Sequence, residues 1–261
     1  MAWSPLGTQF CLELAFGVLL GLCAIRRAPV GTFFYRLMGT TALVPLLAAA
    51  FLPTLFAETP WTDPGVVAAG LACLAFPIFS GPIKSSRRSA GLFFATACAG
   101  ASLAWTVWQL PEVDAPLAGV LASLSAMATG AVAGGVGLAM VLGHWYLTVP
   151  ELPVSWLRRL NGWTAIAMVV SILLVVSTCF FFVDLLQDAP RPLLGPWGWF
   201  YMGARAGAGL LLPLLFAWMT AGSLRYDNTR SATGILYAST VLVLIGTAVS
   251  ISLQDTYGVP L

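Results

Sequence analysis

Long apolar runs alternate with short polar breaks along the whole chain, and eight such runs can be laid out. Each run approaches or exceeds the roughly 20 residues that a helix needs to cross a bilayer, the third run being the shortest. Their approximate ranges are 7–25, 37–57, 65–82, 89–109, 117–147, 161–183, 197–221 and 232–253. The pattern predicts an all-α polytopic membrane protein whose eight transmembrane helices form one bundle. We treat 1–261 as a single integral membrane domain, which can be divided into halves 1–114 and 115–261.

The charged residues of the polar breaks alternate in sign from one break to the next. Of the twelve lysines and arginines, ten fall in every second break: Arg26, Arg27, Arg36, Lys84, Arg87, Arg88, Arg158, Arg159, Arg225 and Arg230. The remaining breaks carry Glu58, Asp63, Glu112, Asp114, Asp184 and Asp188, with Arg191 as their only base. Loops rich in lysine and arginine stay on the cytoplasmic side of a membrane. The alternation therefore predicts that both the N-terminus and the C-terminus lie outside.

The composition narrows the class of protein further. Hydrophobic residues make up 59% and charged residues 8% of the chain, and the mean hydropathy is +0.90. Soluble domains carry about a quarter charged residues, so we expect a multi-pass protein of the cell (inner) membrane with the lipid bilayer as its first partner. A net charge of +2 does not indicate nucleic-acid binding. The five cysteines lie in apolar runs without a CxxC pair, which favours small buried hydrophobic residues over metal ligands.

The stretch 115–150 contains no Asp, Glu, Lys or Arg and carries the only histidine of the chain, His144. Gly130, Gly134, Gly137 and His144 recur at helical spacing, so they share one stripe of the predicted helix. A stripe of small residues lets a second membrane helix approach closely. We therefore expect this helix to be a central packing element, with His144 on its packed side.

Two ionisable residues lie inside predicted helices, Glu13 in the first and Arg205 in the seventh. At 1.5 Å per residue, Glu13 lies about 9 Å along its helix from Gly7, and Arg205 about 12 Å along its helix from Trp197. Both helices run inward from outside, so we expect the two charges close together in the outer half of the bundle, beside a cavity. An intramembrane charge indicates a functional site by default. Two other interpretations stay open, a structural ion pair and an Arg205 that snorkels outward.

His144 is followed by Trp145 near the end of its helix, which allows three interpretations. The residues can form an interfacial cap bonded to a loop, His144 can ligate a haem, or it can donate a hydrogen bond to a quinone head group. A chain with one histidine cannot supply both ligands of a bis-histidine haem, and Met140 on the same helix is too close to bind the opposite face of the iron. We therefore expect no haem and no metal in this chain.

Eight spans with both ends outside, little mass beyond the bilayer, and an acid and a base at the outer side resemble a known group. They are similar to the membrane anchor subunits of polysulfide reductase and dimethyl-sulfoxide reductase. The resemblance implies a helical bundle that binds a quinol without a haem and passes its electrons to partner redox subunits on the outer side. It further implies a quinone or menaquinone as the cofactor, and a chain that is not catalytic alone but supplies the quinol-oxidising subunit of an oxidoreductase complex.

Oxidation of a quinol needs a proton acceptor, a second polar contact and an apolar slot for the ring and tail. Glu13 can accept the proton, and Arg205 or Tyr201, which shares its face, can hold the other oxygen. His144 and Trp145 are further candidate contacts to a quinone. Two other functions stay open: a cofactor-free structural or assembly subunit of a membrane complex, and a small-solute transporter, which would show discontinuous helices and polar residues near the middle of the bilayer.

The alternating charges generate a topology prediction. A cysteine introduced at position 86 should be protected from a membrane-impermeant thiol reagent added outside, and one at position 113 should react, because basic loops remain cytoplasmic. The measurement is labelling of intact cells with this reagent. Each of the two cysteines is introduced singly into a variant that lacks the native cysteines. The reverse pattern of labelling would contradict the topology.

Overall fold

The structure, a computed structural model, describes residues 3–56, 59–81, 85–109, 116–149, 151–189, 192–193 and 195–261. The helices are α1 (Trp3–Ala24), α2 (Gly31–Phe56), α3 (Pro64–Leu74), α4 (Phe76–Ser80), α5 (Ser85–Trp108), α6 (Pro116–Thr148), α7 (Ser155–Phe181), α8 (Val183–Asp188), α9 (Pro196–Met202), α10 (Leu212–Arg225) and α11 (Thr229–Tyr257). A π-helical segment, Gly203–Leu211, joins α9 to α10. Five charged residues of the predicted loops lie outside the described residues: Glu58, Lys84, Glu112, Asp114 and Arg191.

The described chain is all-helical, and seven of its helices are long and apolar enough to cross a membrane. Large apolar side chains cover the outside of these helices: Phe180 is 76% exposed, Trp218 73% and Phe56 71%. An apolar surface of this extent indicates contact with a lipid bilayer. The multi-pass membrane protein that the apolar runs predict is therefore confirmed.

The third predicted span differs from the other seven. Its apolar helix, Pro64–Ser80, is shorter than the candidate spans and is broken at Ala75, between α3 and α4. Pro77 lies in the first turn of α4, and proline in a helix interior removes a backbone hydrogen bond and clashes with the preceding turn. The break therefore falls next to the residue whose backbone cannot continue a regular helix.

The basic turns lie together at one end of the bundle, here called the basic end, as the contacts of their arginines show. The guanidinium of Arg26, after α1, lies over the ring of Phe93 near the start of α5. Arg158, at the start of α7, donates a 2.8 Å hydrogen bond to the carbonyl of Leu224 at the end of α10. Arg26 and Arg159 line one cleft. The ends of α1 and α10 and the starts of α5 and α7 thus lie together.

The broken helix α3–α4 lies antiparallel to α5. Near the start of α3, the Ser102 hydroxyl of α5 donates to the carbonyl of Gly65 at 2.8 Å, and Asp63 caps the helix by accepting from the Gly65 amide. Beyond α4, the carbonyl of Gly81 accepts a hydrogen bond from Arg88 of α5. The pair α3–α4 therefore extends from the basic end to the opposite end of the bundle, here called the acidic end, where Asp63 lies.

Helix α6 is the centre of the bundle and packs against α1, α5, α7 and α11. Its closest approach is to α1. A Cβ atom added to Gly130 would lie 2.6 Å from the carbonyl oxygen of Glu13, and one added to Gly134 would lie 2.7 Å from the Cα atom of Gly17. Backbones meet here without side chains between them, so glycine is required at these positions. The predicted packing of Gly130 and Gly134 against another helix is confirmed.

The far end of the predicted stripe does not pack. A Cβ atom added to Gly137 would meet nothing within 4 Å, and His144 is exposed. The prediction that His144 lies on the packed side of the helix is wrong. The contact with α1 continues past Gly134, since a Cβ atom added to Gly21 would lie 2.7 Å from Leu138 Cδ2, but Gly137 and His144 lie on another face of α6.

The predicted seventh span is one continuous helix, Pro196–Arg225, whose middle is the π-helical segment. This segment packs against α11 by backbone contact, since a Cβ atom added to Gly209 would lie 2.6 Å from the Cα atom of Gly246. π-Helical turns inside α-helices are frequent at functional sites. Arg205 lies in this segment.

The contact between α1 and α6 generates a prediction with a matched control on the same helix. Gly134→Ala should lower the free energy of unfolding by about 1–3 kcal/mol or more, because the new methyl group overlaps the backbone of α1. Gly137→Ala should be neutral or slightly stabilising, since the methyl group meets no atom and alanine favours a helix. The measurement is the apparent melting temperature of each purified variant in detergent, compared with that of the wild type. Equal effects on the apparent melting temperature would contradict the close contact.

Candidate functional site

Glu13 and Arg205 are both 1% exposed, so each ionisable side chain lies inside the bundle rather than at its surface. Glu13 lies on α1 beside the glycine contact with α6, and Arg205 lies on the π-helical segment. Along α1, Glu13 is 13 residues before Arg26, or about 20 Å from the basic end. Burial of Arg205 contradicts the interpretation that it snorkels outward.

The carboxylate of Glu13 is bonded to an amide pair. The Nε2 group of Gln9, one turn earlier on α1, donates to Glu13 Oε1 at 2.9 Å. The same group lies 3.1 Å from Oε1 of Gln254 on α11. Both glutamines are buried. Sequence reasoning missed them, although Gln9 lies four residues from Glu13 and therefore on the same face of a helix.

Arg205 is bonded to hydroxyl groups of two other helices. Its Nη2 group donates to Thr129 Oγ1 of α6 at 2.8 Å and to Ser171 Oγ of α7 at 3.1 Å. Thr129 directly precedes Gly130, whose backbone contacts Glu13. One turn of α6 therefore contacts the helix segment of Glu13 and the side chain of Arg205 together.

The acid and the base reach adjacent residues of α6, since Glu13 lies against Gly130 and Arg205 bonds to Thr129, but no ion pair joins them within the described residues. Within the described residues, Glu13 Oε2 and Arg205 Nε have no hydrogen-bond partner, and neither do Gln9 Oε1 and Gln254 Nε2. We call the six side chains together the buried polar cluster: Gln9, Glu13, Thr129, Ser171, Arg205 and Gln254.

The composition of the buried polar cluster determines its chemistry. A carboxylate can take up and release a proton, whereas a guanidinium stays charged and can only donate hydrogen bonds. An unpartnered polar atom inside a protein is costly and calls for an explanation. The arrangement offers one proton acceptor, one fixed positive charge that favours its ionised form, and free donors and acceptors beside both.

The other predicted site residues lie apart from the cluster. Tyr201 is 38% exposed on α9, whereas Arg205, one turn further along, is 1% exposed, and no described hydrogen bond joins Tyr201 to the cluster. His144 is exposed near the basic end, with its Nδ1 atom 3.5 Å from the hydroxyl of Tyr237 on α11. Trp145 is half-buried and stacks with Phe33 at a centroid distance of 5.9 Å.

Two cavities flank α1. The larger, about 510 Å³ and here called the lateral cleft, lies among α1, α5, α6 and α7. Phe16, Gly17 and Ala128 line it, so it passes within one helical turn of Glu13 and Thr129. The smaller, about 210 Å³ and here called the acidic-end cavity, is lined by Thr8, Asp63, Ser102 and other residues of α1, α2, α3 and α5. Neither cavity has Glu13 or Arg205 in its wall.

Within the described part of the chain, no three His, Cys, Asp or Glu residues come together in a group that could hold a metal ion. The five cysteines are free thiols. Cys23 contacts the hydroxyl of Thr96 at 3.3 Å, a contact between α1 and α5. The charged chemistry of the described interior therefore lies in the buried polar cluster.

The hydrogen bonds of Arg205 generate a prediction. Thr129→Val should lower the free energy of unfolding by about 1.5–3 kcal/mol, because it removes a hydrogen bond to a buried charge. Thr247→Val is the matched control: this threonine is also buried, but its hydroxyl donates only to the carbonyl of Val243 on its own helix. The apparent melting temperature in thermal unfolding should be lower for Thr129→Val than for Thr247→Val. A Thr129→Val variant as stable as the control would contradict the role of this bond.

Similarity to known proteins does not indicate the function of the buried polar cluster. No protein-family model, no curated protein and no solved structure matches the chain. The chemistry of the site's own residues therefore indicates its function, in particular the buried charges on α1 and on the π-helical segment.

Proposed function

We propose that the chain is a subunit of a cell-membrane electron-transfer complex, crosses the membrane eight times and has both termini outside. The support for eight crossings is the course of α3–α4, which lies against α5 from the Ser102 hydroxyl to the Arg88 guanidinium. Its 17 residues would measure about 25 Å as a continuous helix, close to the hydrocarbon thickness of about 30 Å. The support for the orientation is that the basic turns lie together at one end.

The chemistry that we propose for the buried polar cluster is uptake of a proton from a quinol, as in the polysulfide reductase type of membrane anchor. Oxidation of a quinol releases protons, so a nearby group must accept them. Glu13 accepts one of the two protons, Arg205 stabilises the ionised carboxylate before that proton arrives, and the second proton leaves to water at the acidic end. The electrons pass to redox subunits at the acidic end, outside the membrane.

A single observation carries this proposal: the two buried charges reach adjacent residues of α6 but bond to different neutral partners. A purely structural ion pair would be expected to form direct charge-assisted hydrogen bonds, which are the strongest available to these groups. Here Glu13 Oε2 and Arg205 Nε instead stay unpartnered within the described bundle. A carboxylate with a free oxygen can gain a proton without breaking an ion pair.

The acidic-end cavity is the place that we propose for the quinol head group. Thr8 in its wall is adjacent along α1 to Gln9, which donates to Glu13. The cavity therefore adjoins the cluster through one residue of the helix. Polar groups from three elements line it: Thr8 of α1, the Asp63 cap of α3, and Ser102 of α5. The Ser102 hydroxyl donates to Gly65, but its oxygen and the Asp63 carboxylate can still accept hydrogen bonds from the two O–H groups of a quinol.

The second candidate function is a cofactor-free structural or assembly subunit. The burial of Glu13 favours it, since a side chain that is 1% exposed does not reach either cavity in this structure. In that case the bonds from Arg205 to Thr129 and Ser171 serve only to hold the π-helical segment against α6 and α7. The following experiment distinguishes the two functions.

Glu13→Gln should lower quinol turnover about 100-fold or more, because an amide cannot accept the proton. The assay uses the chain purified with its copurifying subunits, a short-tailed menaquinol analogue and an artificial electron acceptor. Glu151→Gln is the matched control, as this glutamate is exposed in the turn after α6. Gel filtration should show that both variants assemble like the wild type.

Arg205→Lys provides a second comparison, because it keeps the charge but replaces the planar donor that bonds Thr129 and Ser171 together. We expect reduced turnover with assembly intact. Normal turnover in Glu13→Gln, or copurification with subunits that carry no redox centre, would contradict the quinol function and favour the structural subunit.

A further inference from the structure

We propose that the lateral cleft binds a phospholipid with an anionic head group, drawn from the leaflet at the basic end, and that Arg26 and Arg159 bind its phosphate. The inference is independent of quinol chemistry, because it concerns a different cavity and different residues. It follows from the shape of the cleft, the position of its two charges and the nature of its wall.

The cleft has the size and depth of a site for a lipid chain. Its volume of about 510 Å³ lies within the range of about 300–1,000 Å³ that is usual for ligand sites. Along α1 it extends from Arg26 to Phe16, and along α7 from Arg159 to Leu174. These are 10 and 15 residues, or about 15 and 22 Å, against about 15 Å for half of a hydrocarbon core of about 30 Å. An acyl chain of one leaflet therefore covers the cleft along α1, and along α7 the cleft continues past the middle of the bilayer.

The wall of the cleft opens to the lipid side of the bundle. Trp163 and Ile166 of α7 are 54% and 57% exposed, and Phe93 of α5 is 50% exposed. Gly17 of α1 and Leu160 of α7 are buried at its floor. A chain can therefore enter sideways from the bilayer and pack between the pair α1–α5 and the pair α6–α7.

Both charges of the cleft lie at its basic end. Arg26 is held there by a 3.1 Å hydrogen bond from Nη1 to the carbonyl of Cys23 and by the ring of Phe93, 5.0 Å from its guanidinium carbon. Arg159 lies 5.8 Å from the centroid of the Trp156 ring. No carboxylate of the described residues pairs with either arginine. Most of their N–H donors therefore remain available for an anion.

The polar groups of the wall favour a phospholipid over a quinone. Among the described lining residues, Thr164 alone bears a hydroxyl, and this hydroxyl already donates to the carbonyl of Asn161 at 2.9 Å. Beyond the arginines, the Trp163 indole and the Cys23 thiol are the remaining side-chain donors of the described wall, so the cleft offers a quinone ring few polar contacts. Arginines bind phosphate through several N–H donors at once, and basic pockets between membrane helices bind anionic head groups. An uncharged quinone head would leave Arg26 and Arg159 without a counter-charge.

The test measures lipid binding to the full chain, delipidated in detergent and kept with any subunits that copurify. Native mass spectrometry counts the lipids that are retained during titration with dioleoyl phosphatidylglycerol or with dioleoyl phosphatidylcholine. We expect the wild type to prefer phosphatidylglycerol. The double variant Arg26→Gln/Arg159→Gln should bind it roughly 30-fold more weakly, because each arginine near an anionic surface contributes about a factor of 5.

The matched control is Arg27→Gln/Arg225→Gln, which removes the same charge from two exposed arginines at the basic end that do not line the cleft. It should keep the preference for phosphatidylglycerol. Ala131→Phe and, separately, Ala167→Phe should fill the cleft from α6 and from α7 and abolish retention of both lipids. The two filling variants keep the test valid if one of them fails to fold, which gel filtration reveals.

Equal binding of the two lipids by the wild type would overturn the proposal, and so would an equal loss of binding in the control double variant. Glycerophosphate that competes as strongly as phosphatidylglycerol would show an anion site without a chain site. Menaquinone that displaces the lipid equally well with and without Arg26 and Arg159 would assign the cleft to a quinone. Each of these outcomes differs from a failure of the Glu13 experiment, which measures turnover at the other site.

Discussion

The backbone contact between α1 and α6 is the constraint on which the rest of this bundle depends. Lipid tails are as apolar as the helix surfaces, so helices in a membrane associate through close packing and hydrogen bonds rather than through the hydrophobic effect. At Gly17, Gly130 and Gly134 the two backbones meet with no side chain between them. The contact fixes α1 against α6, and α6 in turn packs against α5, α7 and α11.

The same contact organises the charged interior. It sets Glu13 beside Gly130, so that the adjacent Thr129 can accept a hydrogen bond from Arg205. A charged side chain at the centre of a membrane costs about 2.5–3.5 kcal/mol on insertion scales. Here that cost is offset by hydroxyl and amide partners from α1, α6, α7 and α11 together. The side chains of the cluster come from these four helices and from the π-helical segment that carries Arg205.

The sequence predicts the bundle well because its signals are local. Run length and charge alternation identify the helices, and Pro77 lies beside the break in the third one. The details of the site depend on contacts between distant segments. Gln254 lies 245 residues from Gln9, and no local pattern connects them. Spacing predicts that Tyr201 shares the face of Arg205, but the burial that separates them, 38% against 1% exposed, depends on which neighbouring helices cover each residue. Helical spacing predicts that His144 lies on the packed stripe of glycines, but His144 is exposed.

The hydrogen bond from Gln9 to Glu13 has a consequence for the biosynthesis of the protein. The chain is made from its N-terminus, so α1 is synthesised more than a hundred residues before Thr129 and almost two hundred before Arg205. Of the partners of the cluster, only Gln9 belongs to the same helix as Glu13. When α1 first enters the bilayer, Gln9 is therefore the one neighbour in the cluster that can shield the acid. The Glu13 carboxyl group therefore has one polar neighbour while α1 inserts into the bilayer, and it is joined by the rest of the cluster only when the bundle assembles.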